Sequence, residues 1–127
     1  ELQQVMQNHF GVFRKGDFMQ EGVEKLESIR ERLGNLYLED KSATFNTARI
    51  EALELQNLFE VAEATAIAAE GRTESRGAHA RDDYRERDDE NWLCHSLYFP
   101  IDKKLGRREV NFSPKTVDTF EPMVRTY

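Results

Sequence analysis

Small and apolar residues recur at helical spacing through the middle of the chain. Ala48, Ala52, Leu55, Phe59, Ala62, Ala66 and Ala69 fall three and four apart, on one face of a helix. That face must be buried, and its alanines let a neighbouring helix approach closely. Leu58, Val61 and Ala68 broaden the stripe toward a second neighbour. Asn46 suits the N-cap, because its side-chain carbonyl can accept from an unpaired first-turn amide, and Gly71 suits the stop. A helix bounded this way holds about 25 residues and runs roughly 37 Å at ~1.5 Å per residue, so the chain is organised around it.

Two helices are expected before it. The first covers Glu1–Lys15, with Leu2, Val5, Met6, Phe10 and Phe13 as its stripe and Gly16 closing it in a left-handed conformation. His9 lies on this stripe and reads as a packed, hydrogen-bonded histidine. Asp17, with Gln20 three residues on, opens the second in a capping-box-like pair, and Gly34-Asn35 ends it. Short polar connections between three amphipathic helices imply antiparallel neighbours. Glu51, Glu54, Glu60, Glu63 and Glu70 read as the solvated face of the third helix.

After Arg72 the helical period stops. The run Arg81–Glu90 mixes both charge signs without an apolar period, so it is expected to be a loop: a solvated surface, or a set of Arg–carboxylate forks holding one domain against another. Strand-like runs Trp92–Phe99 and Arg107–Phe112 flank a turn at Asp102–Gly106, which predicts a hairpin with Leu93, Leu97 and Phe99 sharing a face with Val110 and Phe112. The tail Ser113–Tyr127, with Pro114 and Pro122, should be extended. The expected fold is mainly α, an antiparallel three-helix bundle followed by a C-terminal β-hairpin and extended tail. Residues 1–75 form the bundle, and residues 76–127 supply the motif loop, hairpin and tail packed on it, as one domain overall.

Composition narrows the function classes. The 127 residues carry a net charge of −6 with 33% charged positions, which argues against nucleic acid as a partner because phosphate binding needs a clustered excess of Lys and Arg. No run reaches the ~18 apolar residues needed to span a bilayer. The single cysteine, Cys94, excludes an internal disulfide and reads as a structural thiol. The chain begins at Glu1 already in helical phase, so its start reads as a cut inside a larger protein.

No Gly-rich dinucleotide loop, Walker loop, zinc-spaced Cys or His pair, or nucleophile elbow is present, so no catalytic, cofactor-binding or metal-ligating residue is assigned. His79 and His95 with Asp82, Asp83 or Asp88 match no zinc spacing. The segment Arg76-Gly77-Ala78-His79-Ala80-Arg81 carries more information, with two bidentate donors, an imidazole and a glycine in one short span. Three readings stay open for Arg76, His79 and Arg81: a clamp pinning the loop at a domain or subunit contact, a direct contact with an anionic ligand, or plain surface charge. The clamp is favoured.

Several segments together resemble a known family. These are Phe45-Asn46-Thr47, Glu54-Leu55-Gln56-Asn57-Leu58, the stretch Glu74–Tyr84 with its Glu-Ser-Arg-Gly-Ala-His core, and Arg87-Asp88-Asp89-Glu90-Asn91-Trp92. They are similar to the C-terminal helical domain of the succinate dehydrogenase flavoprotein subunit. The likeness extends from Met6-Gln7-Asn8 and Gln20-Glu21-Gly22-Val23 to the final Val124-Arg125-Thr126-Tyr127. The Glu-Ser-Arg-Gly-Ala-His segment is similar also in fumarate reductase and L-aspartate oxidase. Many members carry lysine where this chain has Cys94, and cysteine there looks like some of the bacterial enzymes.

The resemblance implies a non-catalytic domain within a subunit that oxidises succinate to fumarate through FAD and passes electrons to an iron-sulfur subunit and quinone. It implies no cofactor in this segment, because the family's flavin and substrate residues lie upstream. The implied partners are the FAD-binding and capping domains of the same subunit, the iron-sulfur subunit and, indirectly, the membrane-anchor subunits. The implied location is peripheral, on the cytoplasmic side of the bacterial inner membrane. The alternatives are a fumarate reductase or L-aspartate oxidase C-terminal domain, or a free-standing helical interaction module.

Overall fold

The 25 residues Thr47–Gly71 form one uninterrupted helix, α3, in a computed structural model that describes residues 1–123. Ahead of it lie α1 (Leu2–Phe10), β1 (Phe13–Arg14) and α2 (Gly16–Leu33). After it come β2 (Ala80–Arg81), the single turn α4 (Asp89–Trp92) and the hairpin strands β3 (Cys94–Phe99) and β4 (Lys104–Glu109). The closing Val124–Tyr127 and the end of the expected tail lie outside the described residues; Asn111–Met123 are exposed and without regular structure.

The fold is helix-rich, with α1 against α2 and both against α3. Leu2, Val5 and Phe10 of α1 meet Met19, Leu26 and Ile29 of α2 and Phe59, Ala62, Ala66 and Ala69 of α3 in one core. Small residues set the spacing. A Cβ on Gly22 would stand 2.5 Å from the Phe10 ring and 2.6 Å from Cβ of His9, so α1 and α2 cross where a side chain is missing. His9 is hydrogen-bonded as expected, with Nδ1 2.8 Å from the carbonyl oxygen of Phe18. Asn46 caps α3, accepting from the Arg49 amide at 2.8 Å, and its amide donates to the carbonyls of Asp40 and Ser42, which closes the preceding loop.

Several expectations are corrected. The first helix ends at Phe10 rather than Lys15, and the chain turns extended at Gly11. Phe13 is therefore 80% exposed instead of buried. The backbone of Phe13 and Arg14 is used in β1, which pairs in parallel with Ala80 and Arg81 of β2. Gly16 is not left-handed but the first residue of α2, and Asp17 accepts from the Phe18 amide rather than pairing with Gln20. Gly71 ends α3 without a left-handed turn: its bare Cα makes room for Leu105, whose Cδ1 would lie 2.5 Å from an added Cβ.

Glu63 is not solvated. It is buried and held by a fork from Arg30 and by the Tyr98 hydroxyl, which donates to Oε2 at 3.0 Å. Arg30 also lies over the Phe59 ring, 5.2 Å from its centroid. One carboxylate thus ties α2, α3 and β3 together.

The hairpin is present in a different register. Trp92 ends α4 instead of opening a strand, the turn spans Pro100–Lys103, and Leu97 pairs with Gly106 and Tyr98 with Leu105. Lys103 takes a positive φ of 50° to close that turn. The face toward α3 is therefore Tyr98 and Leu105, and Val110 and Phe112 lie beyond β4. A Cβ on Gly106 would stand 2.9 Å from the Phe99 ring. Gly106 is thus a strand residue under an aromatic ring, not a turn residue.

Candidate functional site

Three segments meet behind the C-terminal end of α3: the α1–α2 connection, the motif loop and the approach to the hairpin. Glu74 is their centre. It is fully buried, and its carboxylate accepts from Arg72 Nε at 2.8 Å, Arg76 Nε at 2.8 Å, Arg76 Nη2 at 3.0 Å and the Asp88 amide at 2.9 Å. Burial pushes this carboxyl up, but the hydrogen bonds from Arg76, the Asp88 amide and Arg72 outweigh it and hold the group below the ordinary carboxylate range. Arg76 continues to Asp89 Oδ1 at 2.5 Å, and Asp89 Oδ2 takes Arg87 Nη2 at 2.8 Å. Arg72 reaches the other way, donating to Ser96 Oγ at 3.1 Å and the carbonyl of Cys94 at 3.2 Å, and it covers one side of Trp92. Arg107 stacks on the same indole, 3.9 Å from its centroid.

Arg81 and Asp83 form a second knot. Arg81 is 4% exposed and makes a bidentate fork to Asp83, Nε to Oδ1 and Nη2 to Oδ2, both at 2.7 Å. Its Nη1 donates to the carbonyls of Glu70 at 2.9 Å and Arg72 at 3.1 Å, where α3 runs out of internal donors. Asp83 Oδ2 in turn accepts from the Gly16 amide, the first of α2, at 3.0 Å. A cation thus sits on the carboxyl end of one helix and its paired anion on the amino end of another, each favoured by the dipole it meets. The Arg81 fork pulls the Asp83 carboxyl down to about 2. A side chain on Gly16 would occupy the space of the Asp83 carboxylate, 2.8 Å away.

His79 joins the knots. Gly77, at φ +59°, and Ala78 turn the chain so that Arg76 and His79 exchange backbone hydrogen bonds of 2.9 and 3.0 Å. This aims the imidazole at Arg14. Nδ1 lies 2.8 Å from Arg14 Nη1 and Nε2 3.1 Å from the carbonyl of Arg72. Ser75 closes the loop, accepting from the Arg81 amide at 2.8 Å and donating to the carbonyl of Tyr84 at 2.7 Å.

The sequence-predicted residues Arg76, His79 and Arg81 are brought into one cluster, but Arg14, Arg72, Glu74 and Asp83 complete it and were not singled out. Glu74 opens the Glu-Ser-Arg-Gly-Ala-His segment and Asp83 lies in the mixed-charge run, whereas Arg14 and Arg72 carry no sequence signal of their own. Arg81 spends its donors inside the chain, whereas Arg76 and His79 border an open groove with Gly77, Arg85 and Arg87 on its walls. Every buried side-chain nitrogen and oxygen among the described residues has a partner, and no group of three or more His, Cys, Asp or Glu there could hold a metal. The arrangement fixes segments together, with both ring nitrogens of His79 and the Ser75 hydroxyl spent on contacts within the chain.

Residues 1–127 match the family described as fumarate reductase flavoprotein C-term. The succinate dehydrogenase flavoprotein subunit of Coxiella burnetii is 54% identical over 125 residues, covering 98% of this chain and 21% of that protein. The fumarate reductase flavoprotein subunit of Haemophilus influenzae is 37% identical over 127 residues, covering all of this chain and 21% of that one. A solved structure of E. coli quinol fumarate reductase FrdA superposes with a TM-score of 0.81 at 34% identity, covering 93% of this chain and 21% of that one. The chain therefore spans about a fifth of the length of these relatives. With its helical bundle, its hairpin and the Glu-Ser-Arg-Gly-Ala-His segment at the junction, the chain belongs to the C-terminal domain family of succinate dehydrogenase and fumarate reductase flavoprotein subunits.

Proposed function

We propose that this chain is the non-catalytic C-terminal domain of a succinate dehydrogenase flavoprotein subunit. That subunit oxidises succinate to fumarate through FAD and passes electrons to an iron-sulfur subunit and on to quinone. The observation that carries the reading is 54% identity across almost the whole chain to a protein named for that activity. The residues of this chain do not fit a flavin. Among the described residues the parallel sheet is one two-residue pair, the left-handed glycine Gly77 lies in the motif turn rather than in a strand-to-helix loop, and the buried side-chain polar groups all have partners. FAD is assigned to the upstream part of the subunit, and no step of its chemistry to these residues.

The role left to this domain is mechanical. It braces the FAD-binding and capping domains, with the loop carrying Arg76, His79 and Arg81 at a domain or subunit boundary. The exposed Gly77-Ala78 tip beside an open groove supports that placement, with buried Arg81 anchoring the loop's base. Among the described residues no helix is long and apolar enough to cross a membrane. This accords with a peripheral subunit on the cytoplasmic side of the bacterial inner membrane, reaching its membrane anchors only through the iron-sulfur subunit.

The test uses the full-length subunit with its iron-sulfur partner. Succinate should reduce an artificial electron acceptor with formation of fumarate, and Arg76→Ala should lower assembly or flavin retention. Wild-type protein without flavin or succinate turnover would overturn the enzyme reading, and an unchanged Arg76→Ala variant the boundary reading. A second reading, a fumarate reductase subunit, is favoured by the Haemophilus relative and the FrdA structure. It predicts faster fumarate reduction than succinate oxidation in the same preparation.

A further inference from the structure

We propose that the His79 imidazole is a proton-sensitive latch: it seats the α1–α2 connection on the motif loop and releases it, with the bundle still folded, when the ring takes up a proton. The ring has two neighbours of opposite demand. Arg14 Nη1, 2.8 Å from Nδ1, only donates, and the Arg72 carbonyl, 3.1 Å from Nε2, only accepts. One form of the ring answers both, the neutral imidazole with its proton on Nε2. A second proton, on Nδ1, would point at a guanidinium, so the charged ring and the seated Arg14 exclude each other.

Little else fastens the connection to the loop. Val12 and Phe13 are largely exposed, and β1 meets β2 over two residues only. The Asp82 amide donates to the Arg14 carbonyl at 2.8 Å, while Arg14 Nε turns back to the Gly11 carbonyl inside the connection itself. A segment with so few buried contacts can open by itself.

The surrounding charges oppose a cationic ring. Arg14 from β1, Arg81 from β2 and Arg72 at the end of α3 all act on it. The carboxylates of the cluster are engaged elsewhere: Glu74 holds Arg72 and Arg76, Asp83 holds Arg81, and Asp89 holds Arg76 and Arg87. Lys15 is paired with Asp17, and Asp82, Arg85 and Glu86 lie exposed to solvent. Burial chiefly, and then these arginines, lower the ring's pKa from its ordinary 6.5. The seated state is therefore favoured in full above about 6.5, the value of the released ring, and loses ground as pH falls through it.

The fastening at the start of α2 does not respond over that range. Arg81 keeps the Asp83 carboxyl ionised down to about 2, and Asp83 accepts from the Gly16 amide at 3.0 Å. Acid thus unseats Val12–Lys15 and leaves α2 pinned behind them.

Hydrogen exchange in the full-length subunit, read peptide by peptide at pH 7.5 and 5.5 as protection relative to the unfolded rate at each pH, tests the latch. Protection across Val12–Lys15 and Ala80–Asp82 should fall several-fold at the lower pH, by at most about tenfold for one unit below the released ring's value. The Phe59–Ala69 segment should keep its protection. His79→Gln and Arg14→Gln should each abolish the fall, because one removes the proton site and the other the cation it meets. An unchanged wild-type profile, the same fall in either variant, or a fall shared equally by Phe59–Ala69 would overturn the proposal. The readout is independent of the assigned activity.

Discussion

His79 accepts a hydrogen bond from Arg14, with Nδ1 2.8 Å from Nη1. A guanidinium can only donate, so Nδ1 carries no proton, and Nε2 must bear the one given to the Arg72 carbonyl. The bond holds β1 beside β2 and fixes one tautomer.

A protonated His79 would turn a second donor on Arg14. Burial, with the charges of Arg14, Arg81 and Arg72 around the ring, already pulls its pKa below the ordinary value, and the bond to the Arg72 carbonyl only partly offsets this. The unfolded chain therefore binds the proton first. The contribution of the neutral ring is complete above the unfolded pKa of about 6.5 and is lost as pH falls through it toward the lower folded value. Melting temperature should drop between about pH 7.5 and 5.5 in the wild type, and His79→Gln should flatten that dependence. An equal slope in both proteins would refute the assignment.

Arg81→Lys should behave as a drastic change. Lysine cannot make the fork to Asp83 while also capping α3, so the variant should lose about 3 kcal/mol in denaturant unfolding, near the cost of breaking a buried pair. Asp83→Asn should cost less, because its amide oxygen still accepts from Gly16. The folded pKa of Asp83 is depressed, so its contribution stands above the unfolded value near 3.8 and is lost as pH falls toward about 2.

Tyr98→Phe removes a single hydroxyl from Glu63 and should cost about 1 kcal/mol. Burial and then the bond to Glu63 push the phenol up to about 12. Its stabilising contribution is thus present below the unfolded pKa near 10 and disappears as pH rises through about 12. A double-mutant cycle with Glu63→Gln should give a coupling clearly different from zero.

Gly71→Ala should destabilise by about 1–3 kcal/mol, since the new methyl meets Leu105. Leu105→Ala in the same chain should recover part of the loss. Additive losses in the double variant would mean that the hairpin does not press on α3 there.

The elements set by apolar period were legible in the sequence. Helical spacing and Asn46 marked α3 within a residue at each end, because cap and burial agreed locally. The misplaced elements were those decided by distant partners. Phe13 continues the α1 stripe, yet Ala80 claims its backbone. Glu63 follows the spacing of an exposed face, yet Arg30 and Tyr98 draw it inward. The amino end of α2 is satisfied from Asp83, 67 residues away, so the local cap pattern at Asp17 does not report it. The motif drew attention through Arg76, His79 and Arg81, but nothing short of the fold could name Arg14 as the partner of His79.

The fork between Arg81 and Asp83 has one more effect. Because it grips the end of one long helix and the start of another, fraying at either site withdraws support from the other. The two helices and the loop between Glu74 and Asp89 should therefore melt as one body, so a lesion in this short loop would be felt throughout the bundle.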